Sequence, residues 1–582
     1  AEEIDQLFYT NAYGVGVNET RMMYGVPGRR LQFWLQWRDP WPHEIDDFDE
    51  MKVSLYGLFD RSNLLDFIRH FIVFVTKDGK TEKVVVRYQQ YLAVKDILNR
   101  ATDLTLPAEK RRGLIWHTQG SGKSISMVCF AAKLMQQPEM QNPTLVVVTD
   151  RNDLDGQLFQ TFAGARALLK EAPQQAADRD ELRALLDGRP SGGIIFTTVQ
   201  KFASGPDEDV FPLLSARTNI VVIADEAHRS QYGFRAVLDK KTGKYKYGFA
   251  KHLRDALKNA TFVGFTGTPV ESSDKDTRTV FGDYVSIYDI QDAVDDQATV
   301  PIFYESRLAK LDVKQAEIDA LNEQVDEVVE DEEDIASREK TKSEWAALEK
   351  LVGAEPRLTQ VAKDLVEHFE SRSATLDGKA MIVCMSRDIC AQLYKAIVTL
   401  RPDWHDDDPE KGAIKVVMTG SAADKELLQT HLYSKQVKKR LEKRFKDAKD
   451  PLKLVIVRDM WLTGFDAPCC HTMYVDKPMK GHNLMQAIAR VNRVFKNKPG
   501  GLVVDYIGIA NELKAALKTY TEAKGKGDPT HNAAEALAVL LEKMDIVRGM
   551  MHGCDYSSFE TKAAALLAPC ANHLLGLKDG KQ

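Results

Sequence analysis

Cysteine is sparse. Seven are scattered over 582 residues, and no two form a C-x-x-C pair. That excludes a disulfide-stapled scaffold and a zinc ribbon, and it reads as reduced, mostly buried thiols in a cytoplasmic protein. No apolar run approaches eighteen residues, so nothing spans a membrane, and no signal peptide opens the chain. Positive charge is not in excess either. The formal net charge is −6, so no global basic field advertises a nucleic acid and any such groove must be local. The chain starts at Ala1 rather than Met, as a piece of a longer polypeptide would. What is present is ordinary globular material, 44% hydrophobic and 28% charged, in a chain too long for one core.

The organising stretch is His117-Thr118-Gln119-Gly120-Ser121-Gly122-Lys123-Ser124. An apolar run leads in and an amphipathic run, 125–135, leads out, which is strand, glycine-rich turn, helix. It fits the phosphate loop G-x-x-x-x-G-K-[ST], except that His117 stands at the first glycine. Gly120 and Gly122 let the backbone curl so that Ser121 and its neighbours aim N–H groups at one phosphate chain, and the helix N-terminus adds partial positive charge. Lys123 would reach the β- and γ-phosphates of ATP, and the Ser124 hydroxyl would hold Mg2+.

Around this loop, short apolar, β-branched segments alternate with helical ones. Strands are expected at 114–117, 144–149, 193–198, 220–224 and 261–265. A second set is expected at 381–384, 414–418, 454–457, 472–475 and 502–505. Near-continuous apolar runs are those of parallel strands buried on both faces. Between the sets, residues 326–334 hold seven carboxylates, a solvated interval between two lobes. The chain after about residue 511 is Ala- and Leu-rich, without a strand candidate. Upstream, Trp34, Trp37 and Trp41 crowd beside Gly- and Pro-rich turns. Residues 46–76 read as helical, with Leu64, Leu65, Phe67, Ile68 and Phe71 on one face. Glu50-Met51-Lys52 has the E-x-K form of a nuclease strand, with Asp46, Asp47 and Asp49 upstream, but helical periodicity fits it better.

Further chemistry sits at strand ends. Val221-Val222-Ile223-Ala224 runs into Asp225-Glu226-Ala227-His228, two carboxylates at the edge where such sheets bind ligands. Asp225 would hold Mg2+ through water, and Glu226 would deprotonate the water that attacks the γ-phosphate. Gly264-Phe265-Thr266-Gly267-Thr268-Pro269 and Thr463-Gly464-Phe465-Asp466 are two more strand ends. Gln486, Arg490 and Arg493 fall at i, i+4, i+7 of an expected helix and would share one face. Two guanidinium groups on one face are what a neighbouring domain needs to touch a γ-phosphate.

Together these motifs resemble the superfamily 2 helicases and translocases, in order and in both lobes. The resemblance implies an α/β fold of two tandem RecA-like parallel-sheet lobes, the helicase core, with a helical C-terminal region. It implies that Gln90 reads adenine, that Thr149, Arg151, Thr198 and Gln200 touch nucleic acid, and that Thr266 and Thr268 couple hydrolysis to domain movement. Asp466 and Gln486 would face the nucleotide, and Arg490 with Arg493 would supply the arginine finger. Ala489 departs from the glycine of many relatives. The match narrows to the R (HsdR) motor subunit of type I restriction endonucleases. It rests on residues 116–124, Asp225-Glu226-Ala227-His228-Arg229-Ser230-Gln231, residues 462–468 and 489–494, Val503-Val504-Asp505-Tyr506-Ile507-Gly508 and Cys554-Asp555-Tyr556.

That resemblance implies a division of the chain. Residues 1–45 would be the remnant of an N-terminal nuclease domain whose catalytic motif lies upstream, and 46–86 a linking helical segment. The first lobe would be 87–300. The second would be 301–510, with an acidic helical insertion at 312–350. Residues 511–582 would begin a helical domain. The implied partners are double-stranded DNA and the methyltransferase (M) and specificity (S) subunits, and no membrane. Candidate basic surfaces are Lys240, Lys241, Lys244 and Lys246, and the run 435–449, the latter interrupted by acids as a solvated helix would be. Two alternatives stay open: a strand-separating helicase with the same ATP chemistry, and an ATP-gated clamp that does not turn over, against which Glu226 argues.

Overall fold

The computed structural model describes residues 11–45, 49–77, 80–149, 152–202, 212–227, 237–238, 245–246, 249–267, 278, 280–307, 348–420, 424–462, 465–479 and 481–510. Beyond 510 it describes 512–513, 516, 530–532, 544, 551, 554–556, 566 and 568–573. The acidic run 326–334, Arg151, residues 228–231, Lys240, Lys241, Lys244, Thr268, Thr463, Gly464, Asp46 and Asp47 lie outside the described residues.

Two parallel seven-stranded sheets dominate, as expected of tandem RecA-like lobes. The first runs Tyr284–Tyr288, Gly113–His117, Thr261–Thr266, Ile220–Asp225, Thr144–Thr149, Ile194–Thr198, Gln174–Gln175 across its width. Its central strands are buried and largely apolar because both faces are covered, and alternate residues sort to opposite sides. Ile115, Leu145, Val147, Ile223 and Phe265 pack under the Tyr88–Thr102 and Lys123–Met135 helices. Leu114, Val146, Val148, Val222 and Phe262 join Leu253 and Ala256 of the Phe249–Ala256 helix on the other face. The second sheet runs Ile414–Val417, Leu454–Val457, Lys379–Cys384, Cys470–Asp476, Gly501–Asp505, Ile302–Ser306, Thr530–Asn532. Strands Tyr284–Tyr288 and Ile302–Ser306 escape a reading based on apolar runs, since polar or half-buried positions interrupt them.

Three expectations are corrected here. Residues 72–76 are not helical: Ile72–Lys77 pairs antiparallel with Lys80–Val85 as a hairpin, in line with the β-branched run Ile72, Val73, Val75, Thr76. On the Arg61–His70 helix, Leu65 and Ile68 are 61% and 44% exposed, and the buried positions are Asn63 and Phe67, followed by Phe71 just past the helix. Asn63 is accommodated because its amide donates to Trp41 and Gly57 carbonyls and accepts from the Tyr91 hydroxyl. Finally, Thr530–Asn532, from the stretch read as wholly helical, adds to the second sheet beside Ile302–Ser306.

Glu50-Met51-Lys52 opens the Glu50–Phe59 helix, with the Asp49 carboxylate accepting from the Met51 and Lys52 amides. An N-capped first turn is no nuclease strand. The three-stranded antiparallel sheet of Gly14–Val17, Met22–Gly25 and Leu35–Gln36 rests on an aromatic cluster. Tyr24, Trp37, Phe67, Phe71 and Tyr91 are fully buried, with Trp37 at 5.3 Å from Tyr91 and 5.7 Å from Phe67. All seven cysteines are free thiols, five of them buried. Among the described residues no helix is long and apolar enough to cross a membrane.

Gly57 tests this packing. A Cβ there would lie 2.0 Å from the Asp39 carbonyl oxygen and 2.3 Å from Trp37 Nε1, where Trp37 donates to Asp39. Helix propensity alone favours Ala by about 1 kcal/mol. Gly57→Ala is nevertheless expected to destabilise the first lobe by about 1–3 kcal/mol, read as an earlier thermal transition. A raised transition would show that helix and Trp37 loop do not pack as described.

Candidate active site

The phosphate loop links Gly113–His117 to Lys123–Met135. Gly120 and Gly122 take φ of +93° and +88°, which side-chain-bearing residues rarely adopt. The loop is braced from within and from both sides. Ser121 Oγ donates to the Thr118 carbonyl at 2.7 Å, and Lys123 Nζ folds back to donate to the His117 carbonyl at 3.0 Å. His117 Nε2 lies 2.9 Å from Ser286 Oγ, so the residue in place of the first glycine ties the loop to the neighbouring strand. Gln90 Nε2 donates to the Gly122 carbonyl at 2.9 Å, and its Oε1 accepts from the Arg87 amide at 2.8 Å. Gln90 therefore sits beside the loop and braces it. Ser124 stands half-buried in the first helical turn.

Asp225 ends its strand and accepts from the Glu226 amide at 3.0 Å. Glu226 has φ +47°, a strained backbone for a non-glycine residue and one that clusters at functional sites. Thr266 is buried at the adjacent strand end. A Cβ on the next residue, Gly267, would lie 2.8 Å from Gln119 Cγ and 2.9 Å from Lys123 Nζ, so that strand end lies close against the loop.

The second lobe supplies arginines, though not from one helical face. The Gly481–Ile488 helix stops short of both. The Arg490 and Val491 amides bond to carbonyls three residues back, tightening the last turn, and Arg493 is extended in an antiparallel bridge with Thr299. The two still converge. Arg490 is 5% exposed. Its guanidinium donates to Gln119 Oε1 at 2.6 Å, to the Gln486 carbonyl at 3.1 Å and to the Phe465 carbonyl. Gln486 is itself buried and contributes that carbonyl. Arg493 pairs with Asp466 at 3.2 Å, and its guanidinium lies over Gly120, where a Cβ would come within 1.8 Å of Nη1. Gln119 is the residue sequence reasoning missed. It occupies a variable position of the loop motif, and only the closed lobes reveal what it meets.

Burial lowers the Lys123 pKa, with Arg493 and Arg490 adding to the effect, while Glu226 and Asp225 oppose it. Burial, followed by Arg493, pushes Arg490 down to about 10. Ser124 and Asp225 are hard oxygen donors of the kind Mg2+ takes, and the two positive-φ glycines leave the backbone cradle open to phosphate. The chain's residues fit both groups.

Among the residues expected to touch nucleic acid, Thr149 and Thr198 are register partners at adjacent strand ends. They are buried, at 1% and 2% exposure, so among the described ones of this set Gln200 alone presents its side chain to solvent. The basic run is a helix, Lys435–Lys446, that buries Leu441 and Phe445 and leaves Lys435, Lys439 and Lys443 exposed along one side.

Two parallel lobes meeting on a glycine-rich loop, a strand-end Asp-Glu pair and two second-lobe arginines define a two-lobed phosphate-loop core. Residues 89–335 match the SWI2/SNF2 ATPase family. Residues 404–508 match type I restriction enzyme subunit R domain 3, and 523–582 the C-terminal region of the HindI endonuclease subunit type. The chain is 52% identical to the HindI type I restriction endonuclease subunit of Haemophilus influenzae, over 92% of this chain and 51% of that one. It is 42% identical to the MjaIXP endonuclease subunit of Methanocaldococcus jannaschii, over 82% of this chain and 43% of that one. A solved fragment of an HsdR subunit from Vibrio vulnificus covers 91% of this chain, and this chain 81% of it, at 14% identity and TM-score 0.47. The chain belongs to the R-subunit family of type I restriction enzymes. It spans about half the length of the curated relatives it matches.

The lowered Lys123 pKa has a signature. Below that pKa the ammonium is already charged; above it, a polyphosphate beside Nζ restores the proton. Nucleotide binding is therefore expected to take up protons at alkaline pH, seen in calorimetry as binding heats that vary with buffer ionisation enthalpy. Heats independent of buffer up to about pH 10 would show that Lys123 stays charged in the free protein.

Proposed function

We propose that the protein is an ATP-driven translocase on double-stranded DNA, the motor subunit of a type I restriction complex that moves DNA before cleavage. One observation carries this reading: Arg490 and Arg493 of the second lobe rest on Gln119 and Gly120 of the phosphate loop. A site built from two lobes is complete only when they close, so events at the phosphates become domain movement.

Gly120, Ser121, Gly122 and Lys123 hold the triphosphate. Lys123 leaves the His117 carbonyl to do so. Ser124 and Asp225 would hold Mg2+, which when bound neutralises charge on the β- and γ-phosphates. Glu226 takes a proton from the attacking water. Arg493 meets charge developing on the γ-phosphate, and Arg490 keeps the lobes in register. Thr266 and Gly267, at the end of the adjacent strand, together with Thr268, carry the change outward. Asp466 restrains Arg493, and Gln486 holds Arg490. Gln90 braces the loop and would meet adenine.

Each closing and opening shifts the grip of one lobe along the duplex, and the grip falls on phosphates because a motor must ignore sequence. Gln200 and Arg151, and the Lys435, Lys439 and Lys443 face, are the surfaces we assign to it. Thr149 and Thr198 act from behind by shaping the edge. In this reading 87–300 and 301–510 are the two motor lobes. The methyltransferase (M) and specificity (S) subunits select the site in the cytoplasm, where seven free thiols are at home.

Duplex DNA is expected to stimulate ATP hydrolysis, and the assembled complex to displace a triplex-forming strand without unwinding the duplex. Unwinding would make the protein a strand-separating helicase, and no turnover an ATP-gated clamp. Glu226→Gln should bind ATP and abolish turnover. Arg493→Ala should bind nearly normally and lose about 10^3-fold in rate. Parental hydrolysis by Glu226→Gln would overturn the assignment of the base.

A further inference from the structure

Three other parts of the chain converge on Asp296, whose side chain is 7% exposed. Arg38, from the loop after the Leu35–Gln36 strand, reaches Oδ1 with Nη1 at 3.0 Å. The Tyr288 hydroxyl donates to Oδ2 at 2.8 Å, and the Tyr88 hydroxyl faces the same carboxylate. Arg87 Nη1 reaches the Asp296 carbonyl at 3.5 Å. A buried carboxylate with this many donors holds its backbone firmly.

What it holds is the crossing between the sheets. Tyr288 ends the last strand of the first sheet, and its carbonyl accepts from the Thr118 amide of the phosphate loop at 2.9 Å. Ile302 opens a strand of the second sheet. In between, Thr299 bridges to Arg493, and the Val300 amide donates to the Asn492 carbonyl at 2.8 Å. The segment that follows Asp296 is thus paired with the backbone that presents the arginine over Gly120.

We propose that Asp296 is a positioning residue for Arg493. It pins the start of the hinge to the first lobe, and Arg38 makes the N-terminal sheet one of its holders. A guanidinium displaced by about 1 Å costs up to about a hundredfold in rate, so a hinge anchor remote from the phosphates is felt in turnover. The inference rests on the ATPase reading for its kinetic consequence and on the hinge geometry alone for its structural one, and the test separates the two.

Asp296→Asn and Arg38→Gln are compared with the parent chain by steady-state ATP hydrolysis with duplex DNA, alone and combined with Arg493→Ala, and by hydrogen exchange. Asp296→Asn is expected to lower kcat about tenfold or more with the nucleotide KM held within about twofold, and to lose nothing further in the Arg493→Ala background. Exchange of the Val300 amide should quicken, while amides of Gly501–Asp505 stay protected. Arg38→Gln, at the solvent-facing partner, should do the same to a smaller extent and carries the test if Asp296→Asn does not fold. An equal loss in the Arg493→Ala background, a loss confined to KM, or unchanged Val300 exchange would overturn the proposal. If the parent itself turns over no ATP, the ATPase reading fails and Val300 exchange still decides whether Asp296 anchors the hinge.

Discussion

A single buried guanidinium holds the two halves of this molecule in register. Arg490 belongs to the second lobe by sequence, and its side chain ends on the first. Burying a cation without a carboxylate is expensive, and here three neutral acceptors meet it: the Gln119 side chain, the Gln486 carbonyl and the Phe465 carbonyl. Hydrogen bonds to a charged donor contribute about 1.5–3 kcal/mol each, and they exist together only in the closed arrangement. Opening the lobes strips Gln119 from the set and rehydrates the arginine.

The sheets explain why this contact can form. Parallel strands deliver all their carboxyl ends to one edge, so Asp225, Thr266 and the phosphate loop share an edge without any sequence proximity. In the second lobe Asp466 lies between two strands and Gln486 on the helix that follows the second of them. Two glycines set the closest approaches: Gly120 admits the Arg493 guanidinium, and Gly267 admits the Lys123 ammonium.

Much of this was legible beforehand, and for a physical reason. Strands buried on both faces leave continuous apolar runs, and the loop's demand for glycine, lysine and serine leaves a fixed spacing. Strands such as Tyr284–Tyr288 and Ile302–Ser306, half-buried and interrupted by polar residues, carry no such signature. Helical spacing grouped Gln486, Arg490 and Arg493 on one face, whereas the helix ends at Ile488 and tertiary bonds bring the two arginines together. Leu65 and Ile68 misled in the opposite way: their apolar character placed them in a core that Asn63 occupies through its hydrogen bonds. Gln119, a variable position in its motif, could not be singled out by any local rule.

Thr530–Asn532 alters what counts as the second lobe. Without it, Ile302–Ser306 would be the outermost strand of a parallel sheet, its free N–H and C=O row open to any passing chain. The strand that covers it comes from more than twenty residues past Gly501–Asp505. The lobe thus extends past 510 in sequence: Leu513 and Ala516 sit in its core, and its sheet is closed by polypeptide that a boundary drawn at 510 would assign to something else. The strand it closes over begins directly after the hinge, so the same late segment that shields the sheet from self-association also stiffens the second lobe where the two lobes join.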